Sequence, residues 1–215
     1  MAARWLANQG LRVAYVDIDC HHGDGVQAGF YGSPKVLTIS LHESGQFLFP
    51  GSGAVCESGR DEGEGYSVNV PLAPHTSDAA YMAAFEAVVP PLVESFKPDV
   101  VFTQLGADTH VLDPITHLRL TVQGHAAVVS RLREMASECG RWLAVGGGGY
   151  DLGAVARAWT ADLAIMACVE LPRELPAPVP ESPGATTYSD DLEAPDELVE
   201  MQVSAFNDRS VEQVR

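Results

Sequence analysis

Tyr15-Val16-Asp17-Ile18-Asp19-Cys20-His21-His22-Gly23-Asp24-Gly25 turns from an apolar strand into a polar, glycine-containing loop. In open α/β sheets, ligand sites lie beyond the carboxyl ends of strands. Side chains two apart on an extended segment share a face, so Asp17, Asp19 and His21 can converge while Cys20 and His22 point elsewhere. An imidazole nitrogen beside a carboxylate oxygen is an ordinary pair of zinc donors. The competing reading is a capped turn, because Asp and His are common in loops and Asp24-Gly25 alone is only a turn signal.

A second carboxylate stands in the same topological place. The apolar run Val100–Leu105 leads into Gly106-Ala107-Asp108-Thr109-His110-Val111-Leu112-Asp113-Pro114. Asp108 then joins Asp19 and His21 as a third donor, which with water describes a catalytic zinc site with an open fourth position. His110 repeats the Asp-x-His spacing and is a rival ligand, against its reading as a loop or supporting histidine. Asp113-Pro114 reads as a turn. A third strand ends in Val145-Gly146-Gly147-Gly148-Gly149-Tyr150, where the missing side chains at Gly148 and Gly149 let the backbone approach a substrate. This run is not a spaced dinucleotide-binding fingerprint. A tyrosine there can donate its hydroxyl to a developing oxyanion; the alternative is a tight turn with a surface tyrosine. The glycine-rich stretch from Gly45 to Gly65 brings an aromatic residue, Phe49, near the strand ends, while Asp61, Glu62 and Glu64 read as solvated loop charges.

Around these segments the pattern predicts a helix over Ala2–Gln9 stopped by Gly10, and strands at Val13–Val16, Val36–Leu41, Ser67–Val70, Val100–Leu105 and Leu143–Val145, the last of them buried. Ser77 caps a helix towards Phe96 that Pro90 and Pro91 must begin, bend or break, Thr121 caps another to about Cys139, and a last helix spans Leu152 to Val169. Apolar strands alternating with helices give a mostly parallel α/β sheet covered on both faces. After Leu171, prolines at 172, 176, 178, 180, 183 and 195 among acidic residues read as an extended surface tail. The organisation expected is thus a catalytic portion over 1–171 and a Pro-rich acidic tail over 172–215.

The 215 residues can enclose one sizeable core. A formal net charge of −16 argues against duplex nucleic acid as a direct partner, since nothing would neutralise phosphates. No apolar run is long enough for a membrane span and no signal sequence opens the chain, which reads as a cytoplasmic protein. The scattered Cys20, Cys56, Cys139 and Cys168 form no CxxC pair, so neither a disulfide framework nor a cysteine zinc finger is expected. Cys168 reads as a buried small hydrophobe.

From about Arg4 to Glu170 the chain resembles the histone deacetylase and acetylpolyamine amidohydrolase family, most closely its bacterial acetoin utilization branch. The resemblance rests on the Tyr15–Gly25 stretch, Ser40-Leu41-His42-Glu43-Ser44-Gly45 with Phe49-Pro50-Gly51, Gly106-Ala107-Asp108-Thr109-His110 and Gly146–Tyr150, all in family order. It implies a three-layer α/β/α fold related to arginase, one zinc ion on Asp19, His21 and Asp108, and Tyr150 as the residue that stabilises the tetrahedral intermediate. It also implies tunnel walls at Phe49 and Ile115, and a structural monovalent cation, usually potassium, at Asp17, Asp19, His21, Ser40 and Leu41. Phe30 and Tyr66 match members of a second such site. The implied substrate is acetyl-lysine on a protein or a small acetylated amine. The family's upstream tandem histidine pair, its general base and electrostatic partner, has no counterpart ahead of Asp19. The expectation is therefore a chain that lacks the N-terminal part of the fold and is catalytically impaired. A non-catalytic metal-binding module is the alternative. An arginase-like site with two manganese ions needs more bridging carboxylates than the sequence offers.

Overall fold

Strand β1 (Val13–Asp17) is buried along its whole length, and its alternate side chains enter two different apolar clusters. That double burial is what a parallel strand covered on both faces requires. In the computed structural model, which describes residues 1–179, 185–192 and 194–214, β1 is the centre of a five-stranded sheet. The other strands are β2 (Val36–Glu43), β3 (Ser67–Leu72), β4 (Val100–Leu105) and β5 (Trp142–Gly146), in the order β3-β2-β1-β4-β5 and all parallel. The register sets Asn69, Ser40, Asp17, Gln104 and Val145 in one row across the sheet near its carboxyl edge.

On one face, Ala14, Val16, Ile39 and Leu41 pack with α3 (Asp78–Phe96) and α4 (Val122–Cys139) in the larger core. On the other, Val13, Tyr15, Val36 and Phe102 pack with α1 (Ala2–Asn8) and with Phe30 of α2 (Asp24–Phe30). Helix α5 (Leu152–Ala167) lies against α4. The expected α/β sheet with helices on both faces is what the chain forms. The caps at Ser77 and Thr121 form as read, each hydroxyl accepting an N–H of the first helical turn.

One local reading is narrowed and three need correction. Pro90 and Pro91 lie inside α3 without ending it; buried Phe85, Val88, Val89 and Val93 hold the helix to the sheet on either side of them. Strand β5 is not buried: Leu143 and Val145 are 36% and 42% exposed, because β5 is the outermost strand and pairs only with β4. Cys168 is exposed and takes a left-handed backbone, φ 56°, where it ends α5. After Leu171 the chain is not extended throughout. Residues Glu197–Val214 form α6, which packs on α3 and β3 through Val203 and Val211. Pro180 and Pro183 of the expected tail lie outside the described residues. Among the described residues no helix is long and apolar enough to cross a membrane.

Candidate metal centre

Asp19, His21 and Asp108 come together just beyond the ends of β1 and β4, each with a ligand atom within 4.8 Å of the others. His21 Nδ1 stands between the two carboxylates, 3.1 Å from Asp19 Oδ1 and 2.8 Å from Asp108 Oδ2. The remaining oxygens are held by the chain itself. Asp19 Oδ2 accepts from Gln104 Nε2 and from the Gly148 N–H, both at 2.7 Å, and Asp108 Oδ1 accepts from the Cys20 N–H at 2.7 Å. Three loops, after β1, β4 and β5, thus meet at one cluster.

Glycine is required here by space. A Cβ at Gly106 would lie 2.5 Å from Asp19 Oδ2, and one at Gly148 would lie 2.1 Å from Asp108 Oδ2 and 3.1 Å from Asp19 Oδ2. Gly148 therefore leaves room beside both carboxylates that any side chain would fill. Two carboxylates and one imidazole around that room fit a zinc ion, with the open side available to a further ligand.

The charges are tightly coupled. Burial pushes the Asp108 carboxyl up to about 6, with neighbouring Asp19 adding to the rise against the His21 hydrogen bond. Burial also acts to raise Asp19, but hydrogen bonds from His21, Asp108, Gln104 and the Gly148 N–H outweigh it and hold that carboxyl below the usual range. Hydrogen bonds to Asp108 and Asp19 lift His21 to about 10. Two carboxylates thus attract a positive charge to the point between them, which a divalent cation would satisfy better than a shared proton.

Asp17 does not join this cluster. It is buried, accepts from the Tyr15 hydroxyl at 2.8 Å and the Asp19 N–H at 3.1 Å, and sits in register with Ser40 on β2. Burial, then Asp19, pushes its carboxyl up to about 8. Ser40 Oγ lies 2.9 Å from His42 Nδ1, and the Leu41 side chain is in the core, so only its main chain is free to serve as a donor. Phe30 and Tyr66 send their rings into different clusters.

Tyr150 is half exposed, and loss of solvation followed by the charges of Asp108, Asp19 and Asp113 raises its hydroxyl above the ordinary value. Its N–H is held at 2.9 Å by Asp113 Oδ2, while Asp113 Oδ1 accepts from the Ile115 N–H at 3.0 Å. Phe49 and Ile115 are 79% and 49% exposed. Gly149 takes φ 147°, and a Cβ there would meet Val155 at 2.6 Å.

His110 turns away from the cluster and pairs with Asp190 at 2.9 Å. Sequence reasoning missed Gln104, Asp113, Glu43 and Asp190. A glutamine near the end of an apolar strand was a visible signal. Fully buried Glu43 takes the N–H and Nδ1 of His117, and nothing local announces that contact. Three further histidines are engaged elsewhere: His22 with Ser52 and Gln27, His42 with Ser40 and the Gly53 carbonyl, His125 with Asp162.

Comparison with known proteins gives a consistent picture. The family model described as "Histone deacetylase domain" matches residues 1–166. The acetoin utilization protein AcuC of Bacillus subtilis (strain 168) is 43% identical over 168 residues, covering 77% of this chain and 43% of its own length. AcuC of Staphylococcus aureus (strain COL) is 43% identical over 164 residues, covering 74% of this chain and 42% of its own. Among solved structures, an HDAC homolog from Aquifex aeolicus superposes with a TM-score of 0.82 at 28% identity, over 96% of this chain and 59% of that one. An HDAC homolog complexed with SAHA gives 0.83 at 28% identity and the same coverage. The chain therefore spans less than half the length of the curated relatives it matches.

Proposed function

This chain belongs to the histone deacetylase family, and from that premise we propose that it carries the metal-ligand and oxyanion side of a zinc-dependent deacetylase of the acetoin utilization type. The convergence of Asp19, His21 and Asp108 beside the space left by Gly148 is the observation that carries the reading. The reaction is hydrolysis of an acetylated amine, with acetyl-lysine on a protein as first candidate and a small acetylated amine as second.

A zinc ion held by Asp19, His21 and Asp108 would supply Lewis acidity towards an amide carbonyl and a water molecule. Asp19 and Asp108 balance its charge, and Gln104, the Gly148 N–H and the Cys20 N–H keep their oxygens aimed. Tyr150 donates its hydroxyl to the oxyanion as the carbonyl carbon becomes tetrahedral. Exposed Phe49 and Ile115 offer apolar surface to the aliphatic stem of an acyl-lysine. Asp17, Ser40 and the Leu41 main chain, with Asp19 and His21, are proposed to hold a structural monovalent cation. A cytoplasmic setting belongs to the same proposal, and four free cysteines support it.

A general base is the part these residues are not seen to supply: His22, His42, His110, His117 and His125 are each hydrogen-bonded away from the cluster, and exposed His75 has no side-chain hydrogen bond to it. The 215 residues alone are thus proposed to bind metal while hydrolysing feebly. This observation also favours a second reading, a metal-binding module without catalysis. Elemental analysis of the purified chain should find about one zinc per chain. Tight zinc surviving the combined Asp19→Ala and Asp108→Ala changes would sink the assignment.

A further inference from the structure

His110 follows Asp108 by two residues, and its ring is almost fully buried. Its Nδ1 accepts the Leu112 N–H at 3.2 Å, so the ring proton sits on Nε2 and is donated to Asp190 Oδ2 at 2.9 Å. The same oxygen accepts the Val122 N–H, at the start of α4, at 2.8 Å. The other oxygen of Asp190 takes Arg157 Nη1 from α5 at 2.6 Å. Arg157 is 3% exposed and also donates to the Tyr188 carbonyl, while the Asp190 backbone exchanges two hydrogen bonds with the Gln123 side chain. Asp190 lies outside residues 1–166, which the family model matches. One carboxylate from the C-terminal segment therefore joins α4, α5 and the loop after β4.

That loop carries the site. Asp108 reaches His21 from its beginning, and Asp113 fixes Tyr150 further on. Its main chain is stitched by Val111 N–H to the Leu120 carbonyl and Leu120 N–H to the Thr109 carbonyl, and the His110 ring fastens its first turn to the outside. Without Asp190, Arg157 becomes a buried unpaired charge and the His110 Nε2–H loses its acceptor, which a buried loop relieves by shifting.

We propose that Asp190 is a positioning residue for the metal centre, locking His110 to α4 and α5 and so fixing the loop from which Asp108 reaches the cation. The inference rests on the metal-site reading above. Cobalt(II) serves as the probe on the 215-residue chain, its affinity measured against a chelating dye and its visible absorption recorded, beside melting of the metal-free protein. Asp190→Asn is isosteric but removes the charge and places an amide N–H₂ against donors. It should weaken cobalt binding about 10-fold and alter the visible bands well below the melting temperature. His110→Gln, which keeps a donor for Asp190, should retain more affinity than His110→Ala. An Asp190→Asn protein that melts lower yet binds cobalt with native affinity and spectrum would overturn the role. If Asp190→Asn does not fold, equal affinities for His110→Gln and His110→Ala would overturn it. A native chain that takes up no cobalt removes the metal reading and this inference together, whereas native uptake with unaffected variants removes only the inference.

Discussion

Asp113 divides one carboxylate between the N–H groups of Tyr150 and Ile115, so a single buried side chain sets the proposed oxyanion donor and an exposed apolar neighbour. Asparagine has only one acceptor oxygen, so Asp113→Asn leaves one of those N–H groups facing an amine. In a form of the protein with measurable deacetylation, Tyr150→Phe should lower kcat on the order of 10²-fold with zinc content unchanged. Asp113→Asn should lower kcat about 10-fold, and that loss should shrink in the Tyr150→Phe background if Asp113 acts through the hydroxyl. Additive losses in the double variant would mean that Asp113 merely holds the loop. The convergence of Asp19, His21 and Asp108 was legible in the sequence because donor residues beside glycines at strand ends are a local signal. Asp113 read only as a turn because its partner lies 37 residues away, and His110 stayed ambiguous because Asp190 lies 80 residues away.

At the scale of elements, the strands, their parallel direction and the caps at Ser77 and Thr121 followed from apolar runs and side-chain chemistry within a few residues. Helix α6 did not. Its buried face is Val203, Asn207, Ser210 and Val211, spaced as one helical stripe but half polar, so the apolar period is masked among acidic residues and after many prolines. Only the contact explains it: Asn207 Oδ1 accepts the Ala73 N–H at 2.9 Å and its Nδ2 donates to Thr76. Asn207→Ala orphans that buried N–H and should cost about 1–3 kcal/mol, read from urea midpoints. The exposed Met201→Ala should stay within about 0.5 kcal/mol. The segment before α6 should answer to acid. Burial acts to raise the Asp190 carboxyl, but His110, the Val122 N–H and Arg157 bring it down to about 2. Its folded pKa lies below its unfolded value, so its stabilisation is complete above about pH 4 and is lost as pH falls towards 2. The loss should be about 2 kcal/mol, and Asp190→Asn should flatten that limb of the stability–pH curve.

For the molecule as a whole, β5 is an edge strand among the described residues, with no strand on its outer side, beside exposed Leu143 and Val145 and with Leu163 of α5 67% exposed. Such an edge invites association with another chain. The net charge of −16 opposes it at low ionic strength, so self-association should rise with salt. Static light scattering should show this, and replacing Leu143 and Val145 by lysine should suppress it while leaving the melting temperature within a few degrees. A native chain that stays monodisperse at high salt would contradict the edge argument. The position of the site beyond the strand ends has a different consequence. Asp19, His21 and Asp108 lie outside the apolar clusters, and hydrogen bonds from the chain already orient them. The sheet can therefore form before any cation arrives, and a chelator should empty the finished receptor reversibly rather than unfold it. The protein would then carry whichever suitable ion its surroundings offer, so that its occupancy follows the ions around it and not the course of its folding.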